Sequence, residues 1–143
     1  YLYLSMASYF ESVNLRGFAK WMEAQAVEEQ NHAMKFYSYI NERAGRVIFD
    51  SIAKPPSKWD SPLAVFKETY KHEQKVTAMI NDLTDLARAE KDNATEILLQ
   101  WYVNEQVEEE ASASEILENL KMIGSSGNGL IMLDRELGQR KTD

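Results

Sequence analysis

The chain has 143 residues, 44% hydrophobic and 27% charged, which is long enough for one domain with a sizeable core and too apolar for a disordered chain. A formal net charge of −7 argues against nucleic acid or an anionic membrane as the main partner; it is compatible with collecting cations, though many solvated surfaces are as acidic. Cysteine is absent, which removes disulfides, zinc ribbons, iron–sulfur clusters and thiol nucleophiles together, and no apolar run approaches the ~20 residues a membrane span needs. No signal peptide is visible, and the expected location is the cytoplasm.

Punctuation divides the chain into helices. A first helix is predicted from the start to about Val13, ending in the polar turn Asn14-Leu15-Arg16-Gly17. The sequence opens in mid-pattern at Tyr1, so this helix is expected to be truncated at its N-terminus. A second helix runs from Phe18 to Ala44 and stops at Gly45. A third begins at Pro62, with Ser61 as N-cap and proline at the first helical position, where its missing N–H does no harm; it fades near Asp92. Asn93 caps a fourth helix, with Glu96 completing a capping box, and this helix ends at Gly124. Beyond the segment Ser125-Ser126-Gly127-Asn128-Gly129, a short fifth helix covers about Leu130 to Leu137.

The first–second and third–fourth links are short, which makes each pair an antiparallel hairpin. The segment from Gly45 to Ser61 is long. The second helix spans roughly 40 Å at about 1.5 Å per residue. An extended segment of that size, at roughly 3.3 Å per residue, covers the distance, so the second and third helices are expected to be parallel. The expected fold class is all-α: a four-helix bundle with one long crossover and a short fifth C-terminal helix, a single domain over residues 1–143.

Spacings of three and four residues along each helix pick out polar residues where a core should be. The second helix reads Phe18, Met22, Gln25, Glu29, His32, Phe36 and Ile40. The third reads Leu63, Phe66, Tyr70, Glu73, Thr77 and Ile80. The fourth reads Leu99, Tyr102, Gln106, Glu109, Ala113, Ile116 and Leu120, with Glu105 beside it. These stripes contain acids at mid-length and no Lys or Arg. Burying a carboxylate without compensation costs on the order of several kcal/mol. Either the acids are protonated, or the stripes face water, or cations sit among them. The Glu29-x-x-His32 spacing favours cations, because positions i and i+3 of a helix can reach one metal. Oxygen donors with one imidazole suit iron or manganese better than a structural zinc or a calcium loop. A two-metal site, with ions roughly 3.5–4 Å apart, needs a bridging carboxylate, and Glu29 is the natural one. Taken singly, each piece has a plainer reading: Glu108-Glu109-Glu110 as a solvated face, Tyr3, Trp101 and Tyr102 as packing, His72 as an exposed neighbour of Glu73. Their conjunction at matching heights favours a metal centre.

The stretches Glu28-Glu29-Gln30-Asn31-His32-Ala33 and Leu99-Gln100-Trp101-Tyr102-Val103-Asn104-Glu105-Gln106-Val107-Glu108-Glu109-Glu110 carry a specific likeness. So do the opening Tyr1-Leu2-Tyr3-Leu4 and the closing Leu130-Ile131-Met132-Leu133-Asp134-Arg135-Glu136-Leu137. In these the chain resembles the non-haem ferritins of bacteria and archaea, over essentially its whole length. The resemblance implies a ferritin-like bundle in which Glu29 bridges two irons, His32 binds the first, Glu73 and Glu109 complete the second, and Gln106 lies beside the pair. It also implies a third iron site at Glu28, Glu105, Glu108 and Glu109, and redox-active aromatics at Tyr3 and Trp101. The family's first-helix Glu ligand would sit about seven residues, or two helical turns, ahead of Tyr3 and so ahead of Tyr1.

Two departures separate close relatives. Gln106-x-x-Glu109 stands where symmetric di-iron proteins repeat Glu-x-x-His, and Gln30 stands where bacterioferritins carry a haem-ligating Met, so no haem is expected. The implied function is iron storage with ferroxidase activity: Fe(II) oxidised to Fe(III) by O2 or peroxide and stored as mineral in a homo-oligomeric cage of twenty-four subunits, with neither nucleic acid nor membrane as partner. The alternative, kept open by the absent first-helix ligand, is a catalytically weak subunit whose acids nucleate mineral or support assembly.

Overall fold

Five helices carry the structure, a computed structural model describing residues 1–140: α1 (Leu2–Ser12), α2 (Arg16–Glu42), α3 (Pro62–Ala89), α4 (Asn93–Ile123) and α5 (Gly127–Leu137). The fold is all-α, a four-helix bundle with one long crossover between α2 and α3 and a short fifth helix. No described helix is long and apolar enough to cross a membrane. The described chain forms two compact units, one of Tyr1–Trp59 with residues 126–140, the other of Asp60–Ser125.

The second unit is the α3–α4 hairpin. Ser61 caps α3 as predicted, its hydroxyl accepting from the Ala64 N–H at 3.1 Å, with Pro62 in the first turn. The cap of α4 is Asp92, not Asn93: its carboxylate accepts from the Thr95 N–H at 3.1 Å and the Thr95 hydroxyl at 2.7 Å. Glu96 is drawn away from any capping box by Arg88, whose Nε donates to it at 2.7 Å. That hydrogen bond, reinforced by the Glu96 charge, raises the Arg88 guanidinium above its ordinary range. Arg88 near the end of α3 pairs with Glu96 near the start of α4, and Thr77, earlier on α3, pairs with Glu110, later on α4, so the hairpin is antiparallel. Its buried seam holds Val65, Phe66, Ile80, Leu99, Tyr102, Ala113, Ile116, Leu117 and Leu120.

In the first unit, α1 and α2 pack through Met6, Phe10, Phe18 and Met22, all fully buried, with the Phe10 and Phe18 rings stacked at 4.9 Å. Every buried residue of α2 lies between Gly17 and Gln25. The 11 described residues of α1 span about 16 Å and the 27 of α2 about 40 Å, so the described part of α1 lies against one half of α2. Ile40, at the end of the predicted inward stripe, is exposed. The crossover runs back along the same unit. Phe49 stacks on Tyr37 at 6.2 Å, then the Pro56 carbonyl accepts from the Ser5 hydroxyl at 2.5 Å, and Trp59 meets Tyr9 edge-on at 5.5 Å. Gly45 is needed at the start of this path for space, since a Cβ there would lie 2.9 Å from the Ile40 carbonyl oxygen.

Helix α5 starts at Gly127, earlier than the glycines suggested, because the Ser126 hydroxyl accepts from the Gly129 N–H at 3.2 Å and caps it. Its Leu133 and Leu137 are buried. The first turn of α2 has no cap from its own neighbours, and α5 supplies one: the Asp134 carboxylate accepts from the Gly17 N–H at 2.8 Å and the Phe18 N–H at 3.1 Å. An acid at a helix N-terminus also meets the positive end of the helix dipole. Lys20 Nζ donates to the Gly138 carbonyl at 2.8 Å and closes the same contact. The approach requires glycine, since a Cβ on Gly17 would sit 1.6 Å from the Asp134 carbonyl oxygen. Glycine to alanine in an open helix ordinarily gains about 1 kcal/mol. Here the overpacking is expected to dominate, so Gly17→Ala should destabilise by about 1–3 kcal/mol and lower the calorimetric midpoint. A raised midpoint would show that α5 does not press on α2 in this way.

Candidate metal centre

Helix geometry alone puts donors in rows. On α2, Gln25, Glu29 and His32 succeed one another at spacings of four and three, sharing one face, with Glu28 beside them. Gln25 is buried, and its amide donates to Glu29 Oε1 at 3.1 Å. His32 Nδ1 lies 3.5 Å from Glu29 Oε2, an ion-pair distance too long for a strong hydrogen bond. The His32 side chain is 12% exposed and that of Glu29 30%, so one carboxylate and one imidazole stand together, half-buried.

In the α3–α4 hairpin, Glu73 is 1% exposed and Glu109 6%. The Gln106 amide donates toward Glu73 Oε2 and the Glu73 carbonyl, both at 3.2 Å, and lies 3.3 Å from the Thr77 hydroxyl. Thr77 in turn donates to Glu110 Oε1 at 2.6 Å. Glutamine neutralises nothing, so the charge on Glu73 is answered by a dipole alone along this contact. Glu105 is half-buried one residue before Gln106, and Glu108 is exposed.

The residues singled out in the sequence thus fall into two local sets. Glu29 and His32 come together on α2, and Glu73 comes together with Gln106 across the α3–α4 hairpin. Tyr3 is buried, and Trp101 is half-buried against Tyr102, edge-on at 4.8 Å. His72, expected at the surface, is half-buried. Glu28 is held by a partner that the stripes could not reveal. Arg140, beyond α5, forms an ion pair with its carboxylate while Arg140 Nη1 donates to Gln25 Oε1 at 2.9 Å. Sequence reasoning also passed over Thr77 and Glu110 as polar neighbours; Thr77 was visible on the α3 stripe, and Glu110 stands four residues beyond Gln106.

A helical bundle carrying mid-helix carboxylates and one imidazole defines a class, and the family described as "Ferritin-like domain" matches residues 1–123. The bacterial non-haem ferritin of Bacteroides fragilis is 44% identical over 139 residues, covering 97% of this chain and 86% of that protein. That of Staphylococcus aureus is 38% identical over 141 residues, covering 99% and 85%. Among solved structures, an engineered closed form of the Archaeoglobus fulgidus ferritin superposes with a TM-score of 0.99 at 53% identity, covering 100% of this chain and 87% of the other. The open-pore ferritin of the same archaeon gives 0.98 at 54%, covering 99% and 87%. The chain belongs to the non-haem ferritin family of the bacterial and archaeal type. Family and donor sets together support an iron-handling function.

Desolvating a carboxylate as buried as Glu73 costs on the order of several kcal/mol, which a bound cation would offset. Glu73→Gln keeps an acceptor for Gln106 and deletes the charge. The metal-free variant is expected to melt above the parent in scanning calorimetry, and to gain less from added divalent metal. A lower metal-free midpoint would show that the charge stabilises the empty protein.

Proposed function

We propose that this chain is a ferroxidase subunit, which takes up Fe(II), oxidises it at a di-iron centre built from both donor sets, and passes the product to storage. In this reading the described chain works as a single ferritin-like domain. Glu29 bridges the two substrate irons, His32 binds the first, Glu73 and Glu109 hold the second, and Gln106 lies beside them. The observation that carries the reading is that each unit holds its own donors at mid-helix: Glu29 and His32 3.5 Å apart on α2, and the buried carboxylates Glu73 and Glu109 on α3 and α4. The donor chemistry fits iron: carboxylate oxygens predominate, with one imidazole and no thiolate.

The chemistry asked of the residues is electrostatic. Each Fe(II) gives up one electron, and the pair reduces O2 to hydrogen peroxide with uptake of two protons; with peroxide as oxidant, the same two electrons and two protons yield two waters. The carboxylates are negative before the reaction and so favour the ion of higher charge, without rearrangement at the moment of oxidation. Burial of Glu73 and Glu109 strengthens that preference by excluding solvent. Tyr3 and Trp101 are candidates to supply further electrons during oxidant reduction, and Glu28, Glu105, Glu108 and Glu109 to bind a third iron. The cage of twenty-four subunits and a cytoplasmic location belong to the same reading.

Stopped-flow recording of aerobic Fe(II) oxidation tests this. The protein should show a fast phase saturating near about two Fe(II) per subunit, and Glu29→Ala and His32→Ala should each slow it at least about tenfold. Rates equal to a protein-free control in all three would leave a storage or mineral-nucleating subunit instead.

A further inference from the structure

The guanidinium of Arg140 makes three contacts, all on one face of α2. Its plane lies over the Trp21 ring, with Cζ 4.4 Å from the centroid. Nη1 donates to Gln25 Oε1 at 2.9 Å, and Nη2 forms an ion pair with the Glu28 carboxylate. Trp21, Gln25 and Glu28 follow at spacings of four and three, so the arginine lies along a helical row. The segment that delivers it is tied down twice, by Asp134 on the first turn of α2 and by Lys20 on the Gly138 carbonyl. Side-chain exposures of 24% for Arg140 and 36% for Glu28 place the pair where water screens it only in part. Gln25, the same amide that accepts from Arg140, donates to Glu29. One cation is therefore in contact with Glu28 and one hydrogen bond removed from Glu29.

We propose that Arg140 is an internal counter-cation that competes with iron for Glu28, so that the metal step using Glu28 is the weakest and last to fill. This rests on the reading of Glu28 as an iron ligand. Guanidinium carries a fixed positive charge and only donors. On a ligand carboxylate it both occupies the lone pairs a metal would use and repels the incoming dication. A neutral donor at the same place would orient the carboxylate without that repulsion. Iron that binds there must displace the arginine from Glu28, while the stem remains packed on Trp21.

The test is anaerobic calorimetric titration of the assembled protein with Fe(II), comparing the parent with Arg140→Gln, Arg140→Met, Glu28→Gln and the double variant Arg140→Gln/Glu28→Gln. The methionine keeps an apolar stem against Trp21, should glutamine there disturb the fold. Both arginine variants should tighten the weakest step about tenfold, as expected for loss of a charged hydrogen-bonded pair, with the number of ions unchanged. Glu28→Gln should remove that step, and the double variant should match Glu28→Gln. If Glu28→Gln removes the step but both arginine variants leave it unchanged or weaker, Arg140 is only a clasp for α5 and the proposal is overturned. If Glu28→Gln leaves every step intact, Glu28 is not a ligand, and the underlying reading falls with the proposal.

Discussion

A carboxylate in the middle of a buried helix face is a harder problem than one at a helix end. Near an N-terminus, free backbone N–H groups and the helix dipole answer a negative charge, as they do for Asp134 on the first turn of α2. At mid-helix every backbone donor is already committed to the carbonyl four residues back. Glu29, Glu73 and Glu109 all lie near the centres of their helices, and for the buried pair Glu73 and Glu109 side chains or bound cations must meet the charge that water meets in part at Glu29. Glu73 has the Gln106 amide and Glu29 has the Gln25 amide, both neutral. Apolar burial stabilises each unit around its polar positions, with Met6, Phe10, Phe18 and Met22 in one and Phe66, Leu99, Ile116 and Leu120 in the other.

Local signals were legible in the sequence wherever a single side chain decides the outcome. Ser61 before Pro62 reads directly as a helix start, and the fourth-helix stripe from Leu99 to Leu120 is buried at every position named. Errors arose where two local signals compete. Asp92 and Asn93 are both good caps, and the choice turned on Glu96, which the capping box needed and Arg88 took. The glycines at 127 and 129 argued for a loop, yet one hydroxyl cap and two buried leucines carry a helix through them, against a cost of about 1 kcal/mol per glycine.

Periodicity also says nothing about how far a neighbouring helix reaches. The α2 stripe has the same spacing at Ile40 as at Met22, yet Met22 is fully buried and Ile40 is exposed. Contacts between positions remote in sequence were invisible for the same reason. Arg140 lies 112 residues from Glu28, outside every stripe, and no spacing rule connects them. The donor set was legible because its members lie on regular helices. Its electrostatic neighbour was not, because it arrives on an irregular segment beyond α5.

The Asp134 cap has a consequence for how the chain is made. The α1–α2 hairpin is complete early in synthesis, but the carboxylate that satisfies the first turn of α2 follows 117 residues after Gly17. Until then the nascent hairpin presents open amides at a helix start, and the apolar rings of Phe10 and Phe18 lie beside them. The α3–α4 hairpin carries its own caps at Ser61 and Asp92 and can close as soon as it emerges. Maturation of the chain therefore runs out of vectorial order: the half synthesised first is the half that locks last.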